Sequence, residues 1–280
     1  MLAACAAADD SAAIRDAKAA LNRGDGPGAL HILDGLAAAR REASNVAVLR
    51  MEALYLAGNR AEADALAGRL SAATQGDAKL SYSAGMALAR CREYAAAEKF
   101  LSQALSKAPG DFTVLYNLGV AATFAGHHER AREVLETALR RQPQNVDVLY
   151  SLAYADRALK RLEPAARLLA HAAQLAPRRA EIRKLLALVT GDLGAFADSL
   201  AAWDHYLALA PEDDFARRER SYMAACVGQF AEGIALAAAE VVCRGEVVRA
   251  VKTEAGSVSP TLAAKILQYH FQHGSHLSQA

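Results

Sequence analysis

Small and large apolar residues along this chain recur at two intervals at once. One interval is three or four places, as on a single face of a helix; the other is 34. Ala29, Ala63, Ala97, Ala131, Ala165, Ser199 and Gly233 stand in one register, and every residue in that column is small. A second small column reads Gly85, Gly119, Ala153, Ala187 and Ser221. Leu101, Leu135, Leu169 and Trp203 form a large apolar column four residues after the first. Pro109, Pro143, Pro177 and Pro211 share the same step, and they are four of only seven prolines.

The columns predict a helix–turn–helix hairpin in each 34-residue unit. Small residues at the eighth and twentieth places let the two helices come close where they cross. The large residue at the twenty-fourth place is expected to fill space toward the next hairpin. Proline near the end stops the second helix, because it has no N–H to donate. Gly24, Gly58 and Gly126 fall in the mid-unit turn, where a left-handed residue ends the first helix.

These columns resemble the tetratricopeptide repeat family. Within 112–145 the marked places are Leu115, Leu118, Gly119, Ala122, Ala131, Leu135, Ala138 and Pro143, with Ala122 smaller than the usual aromatic. Seven units fit without a gap: 10–43, 44–77, 78–111, 112–145, 146–179, 180–213 and 214–247. The first two and the last are degenerate, as terminal units with a polar outer face often are. Residues 1–9 are read as an N-terminal tail. In 248–280, "SPTLAAKILQYHFQH" reads as a capping helix with Ser259 as N-cap, Pro260 in the first turn and Leu262, Ile266 and Leu267 on its buried face. The resemblance implies an all-α, right-handed superhelical solenoid, with a concave groove lined by the first helix of each unit.

Composition agrees with helix. Alanine fills 68 positions of 280, and it holds a helical backbone at the lowest side-chain entropy cost. The 32 basic and 31 acidic side chains leave a net charge of +1, which argues against nucleic acid as a partner. No apolar run reaches the roughly 18 residues that a bilayer span needs, so a soluble chain is expected.

Four cysteines (Cys5, Cys91, Cys226, Cys243) have no metal-ligand spacing and read as small buried or surface thiols. Cys5 has a second reading. "MLAAC" resembles a bacterial lipobox, in which the cysteine is lipidated after signal cleavage, with "AAADDSAA" as a flexible tether. No basic and apolar signal segment precedes it here. Either the start belongs to a longer signal, giving a membrane-anchored periplasmic lipoprotein, or the match is chance and the chain is cytoplasmic.

The fifth place of three successive units is tyrosine: Tyr82, Tyr116 and Tyr150. Tyr154 and Tyr222 stand at the ninth place of their units. By helical period these places share a stripe offset from the core stripe. The family resemblance implies that this stripe lines the groove. Tyrosine offers a large contact area, few torsions to order and a hydroxyl for a peptide backbone. Packing on the neighbouring first helix is the alternative for the same residues. Asn117, at the sixth place, matches family asparagines that pair with a bound main chain or terminal carboxylate; a solvated side chain is its alternative. The lysine and asparagine of the family's carboxylate clamp are replaced by Tyr82 and Met86, so a clamp is not expected. Arg90, Phe124 and Arg157 complete the candidate partner-binding set, with Lys79, Asp147, Glu181 and Lys184 beside them. Arg217, Arg218 and Arg220 read as a solvated face.

No catalytic, metal or cofactor site is expected. His127 and His128 lie in a turn with no nucleophile in register. His270, His273 and His276 lack a carboxylate or thiol to complete a metal site. The function expected is a non-enzymatic adaptor that holds a peptide segment or helix of a partner protein in the groove. A lipid anchor would put it in assembly of an envelope, pilus, secretion or polysaccharide-export machine. A self-assembling scaffold, or the repeat domain of a larger enzyme such as a glycosyltransferase, are the alternatives.

Overall fold

A computed structural model describes residues 2–74 and 76–227 of the chain. Among these residues the regular secondary structure is entirely α-helical, in fourteen helices. The second half of the seventh unit, the capping helix in 248–280, Cys243 and the three C-terminal histidines lie outside the described residues.

Contacts divide the chain into two compact units, Met1–Pro143 and Gln144–Ala280. In the first unit, α1 (Leu2–Asn22) pairs with α2 (Gly26–Asp34), and a short α3 (Ala38–Arg41) follows. Then come the pairs α4 (Ser44–Leu56) with α5 (Arg60–Ala73), α6 (Ala78–Arg90) with α7 (Tyr94–Lys107), and α8 (Phe112–Phe124) with α9 (His128–Arg141). α4 packs on α2, α6 on α4, and α8 on both α6 and α7. In the second unit α10 (Val146–Ala158) pairs with α11 (Leu162–Leu175) and α12 (Ala180–Asp192) with α13 (Phe196–Leu207). α12 also packs on α10 and α11, and α14 (Asp214–Cys226) packs on α13. α1 begins at Leu2, so the helix already runs through the stretch read as a tail, as its alanine content favours.

Three repeated local devices set the hairpins. The first starts a helix: Asp77, Asp111, Asn145 and Asp213, all on the 34-residue register, cap α6, α8, α10 and α14 by accepting from backbone N–H groups of the first turn. The second turns the chain. Gly24, Gly58, Gly126 and Gly194 have φ between 77° and 83°, and Arg92 and Lys160 hold the same place at 62° and 59°. After each, the next N–H reaches back to the carbonyl five residues earlier, as in His127 to Ala122 at 2.9 Å and Arg161 to Asp156 at 2.8 Å. The third stops a helix: Ala108, Gln142 and Ala176, each preceding proline, take φ of −135° and close α7, α9 and α11.

Packing within a hairpin explains the small and large columns together. A Cβ on Gly119 would stand 2.4 Å from Leu135 Cγ, and one on Gly85 would stand 2.7 Å from Leu101 Cγ. The large residue expected to fill space toward the next hairpin therefore sits on the glycine of its own. Ala97, Leu101, Ala131 and Leu135 are fully buried at these crossings. In the second unit Trp203 takes the leucine's place, fully buried and edge-on to Tyr206 and Phe215.

Candidate functional site

The candidate residues fall on both units. In the first unit, α6 carries Tyr82, Met86 and Arg90 in one row four residues apart, and α8 carries Tyr116, Val120 and Phe124 in the next. Tyr82, Met86, Tyr116, Asn117 and Val120 are half-buried, while Phe124 is 61% exposed.

Asn117 joins the two rows. Its Nδ2 donates to the Tyr82 hydroxyl at 3.0 Å and to the Thr113 carbonyl at 2.9 Å. A carbonyl only accepts, so the Thr113 bond fixes the amide orientation: both Nδ2 hydrogens are engaged and Oδ1 is left as an acceptor. Burial, with the Asp111 carboxylate adding to it, raises the Tyr82 phenol above the ordinary tyrosine value. Its hydroxyl therefore keeps its proton while accepting from Asn117. Tyr116 lies parallel to Phe112, with ring centroids 6.4 Å apart. Phe124 stacks on Tyr94 at 4.9 Å, leaving its other side to solvent.

Arg90 has an internal partner. Its Nε and a terminal nitrogen donate to the two oxygens of Glu52, each at 2.6 Å. Glu52 lies on α4 and is 2% exposed. The buried carboxylate is thus neutralised by a fork-shaped pair from the next hairpin. Cys91, adjacent to Arg90, donates weakly to the Glu52 carbonyl, and burial pushes its thiol up to about 11. It is an unreactive structural thiol. Cys5 lies in α1.

In the second unit, Tyr150 is half-buried and Tyr154 exposed, one turn apart on α10. Burial, then Glu181 and Tyr154, raise the Tyr150 phenol. Arg157 donates to Asp192 at 2.9 Å. Asp147 and Glu181 share Arg179, at 2.5 and 2.7 Å. Lys184 donates to Asp213 at 2.8 Å and lies over the rings of Tyr206 and Phe215, 5.3 Å from each centroid. Asp213 also accepts from the Tyr206 hydroxyl at 2.7 Å and the Ala216 N–H. These donors hold its carboxyl well below the usual carboxylate range, Lys184 contributing most.

Sequence reasoning found the tyrosine and arginine positions and missed their partners: Glu52, Asp192, Tyr94 and Phe112. Glu52 and Arg90 are 38 residues apart, and Arg157 and Asp192 are 35 apart. Opposite charges separated by one repeat plus a few residues were the available signal. Among the described residues no group of three or more His, Cys, Asp or Glu side chains could hold a metal ion, and no helix is long and apolar enough to cross a membrane.

Paired helices, left-handed turns every 34 residues and glycine–leucine crossings define an all-α helical-repeat protein of the solenoid class. The tetratricopeptide repeat family model matches residues 92–143 and 125–189. Residues 92–189, roughly a third of the chain, thus match tetratricopeptide repeats. Solved structures agree on the fold. MamA AMB-1 aligns with a TM-score of 0.55 at 23% identity, covering 62% of this chain and 96% of its own. A second MamA protein structure gives 0.55 at 16%, covering 65% and 96%. The MamA RS-1 ArsTM double mutant gives 0.52 at 18%, covering 74% and 97%. No curated protein matches the chain.

Proposed function

We propose that the chain is a non-enzymatic adaptor that holds a segment of a partner protein along its first-helix face. In the first unit the contact residues are Tyr82, Tyr116, Asn117 and Phe124; in the second they are Tyr150 and Tyr154, with Arg90 and Arg157 bordering their units' faces. The observation that carries the reading is Phe124. It is a large aromatic with 61% of its surface in water, on the same face as two half-buried tyrosines. Aromatics of this kind anchor interfaces, because they bury much area with few torsions to order. The Tyr82–Asn117 pair adds one proton to donate and one carbonyl to accept beside that surface.

Affinity capture from source lysate, with wild type and a Tyr82→Ala/Tyr116→Ala/Tyr150→Ala variant, tests the reading. The variant is expected to lose the partners retained by wild type while keeping its helical circular dichroism and thermal midpoint within a few degrees. Equal retention by both folded proteins would remove these tyrosines from the binding surface.

A further inference from the structure

Most of the charge on the candidate residues is answered within the protein itself. Arg90 is neutralised by Glu52, Arg157 by Asp192, Lys184 by Asp213, and Arg179 lies between Asp147 and Glu181. On the α6–α8 face, what remains beyond Arg90 is Tyr82, Met86, Tyr116, Val120 and Phe124, none of them charged. Lys79, at the start of α6, has no ion pair among the described residues and stands at the edge. Asn117 is the group that could have met a carboxylate, and both its N–H donors are engaged by Thr113 and Tyr82. Its remaining oxygen repels an anion and accepts an N–H.

We infer that the α6–α8 face selects an uncharged, apolar segment of a partner protein and discriminates against acidic segments and free C-terminal carboxylates. This rests on the adaptor reading and names its ligand class. A carboxylate laid on this face would leave water to meet an acceptor oxygen and the apolar surfaces of Tyr116, Val120 and Phe124, with Arg90 already held by Glu52. Desolvating it without a matching donor is unfavourable. An aliphatic or aromatic side chain meets no such penalty. A main-chain N–H from the same segment finds Asn117 Oδ1, and a main-chain carbonyl finds the Tyr82 hydroxyl. Recognition of this kind depends only weakly on salt, because the unpaired charges beside the face, Lys79 and Asp111, are exposed and opposite in sign.

The test uses the full chain and a library of short random peptides displayed with free C-termini. Selection is run at about 0.05 and about 0.5 M NaCl, a range that shortens the screening length to a few ångströms. The expected winners have no net charge and several aliphatic or aromatic residues. Resynthesised, they should change in affinity by less than about 2-fold between the two salts. Val120→Glu, which puts a carboxylate on the floor without touching Asn117 or Tyr82, should weaken them by more than about 10-fold. Val120→Thr, a neutral control for altered shape, should retain most of the binding. Acidic winners whose affinity collapses at high salt would overturn the ligand class while leaving the adaptor reading standing. No enrichment at either salt would overturn both.

Discussion

Arg92 and Lys160 hold left-handed backbone, with φ of 62° and 59°, at places where four other turns have glycine. A Cβ in this region crowds the following carbonyl, so each side chain costs about 1 kcal/mol that glycine avoids. Arg92→Gly and Lys160→Gly should each leave the unfolding free energy from urea titration unchanged or raise it by up to about 0.5 kcal/mol, once the extra freedom of glycine in the unfolded chain is counted. The reverse change, Gly126→Lys, should lower it by a similar amount. Arg90 works in the opposite sense. Removing it strands Glu52, 2% exposed, without its counter-charge. Arg90→Ala should cost about 2–3 kcal/mol, less than a fully buried pair because Arg90 is itself half in water. Glu52→Gln should cost less, because it removes the buried charge instead of leaving it alone. At this scale the sequence marked Gly24, Gly58 and Gly126 as turn residues, since glycine is the residue that suits left-handed backbone. Arg92 and Lys160 were hidden because their side chains announce no turn; only their register with the glycines gives them away. Glu52 was hidden for another reason: an acidic residue inside an apolar stripe has no local signal for the arginine 38 residues later that neutralises it.

A hairpin is held by the fit of its two helices, and the glycine column is where that fit is tightest. Gly119→Ala brings a methyl to 2.4 Å from Leu135 Cγ, a contact that must be relieved by moving α8 and α9 apart. The expected cost is about 1–3 kcal/mol by chemical denaturation. Combined with Leu135→Ala, the same glycine change should cost less than it does alone, because the space it needs has been vacated. Additive effects would mean that the crossing is not the seat of the contact. Elements were the most legible scale. Proline and glycine on a 34-residue register mark the stops and turns, and the structure ends α7, α9 and α11 two residues before Pro109, Pro143 and Pro177. What the period could not give was direction. The period alone points the large residue at the twenty-fourth place toward the next hairpin, whereas Leu101 and Leu135 sit over Gly85 and Gly119 of their own. Periodicity places a residue on a stripe, and only the crossing geometry decides which neighbour the stripe meets.

Across the whole molecule the second unit carries its own reporter and its own pH dependence. Trp203 is the one tryptophan of the chain, fully buried beside Tyr206 and Phe215, and Tyr206 donates to Asp213. The Asp213 carboxyl titrates well below its ordinary value because Lys184, Tyr206 and the Ala216 N–H stabilise its charged form. The unfolded chain thus takes up this proton at a higher pH than the folded one. The resulting stability is complete above the unfolded aspartate value of about 3.9 and is lost as pH falls below it. Thermal unfolding followed by Trp203 fluorescence should show a midpoint that drops below about pH 4, and Asp213→Asn should flatten that drop while lowering the midpoint at neutral pH. A variant with the same acid slope as wild type would deny Asp213 that part. Repeat architecture was legible from the register alone. The candidate surface was legible only as a row of tyrosines: that Asn117 bridges α6 and α8, and that the charges beside it are answered internally, depends on side-chain geometry that no spacing rule contains.

Photo-crosslinking reads out whether a partner segment lies on the α6–α8 face. A photoreactive phenylalanine analogue replaces Val120, on that face, or Lys99, on an exposed site of α7, and each full-length protein is irradiated in source lysate. Discrete adducts are expected from position 120 and not from position 99, and the partner peptides they contain should be apolar and uncharged. Adducts from position 99 with none from position 120 would contradict it.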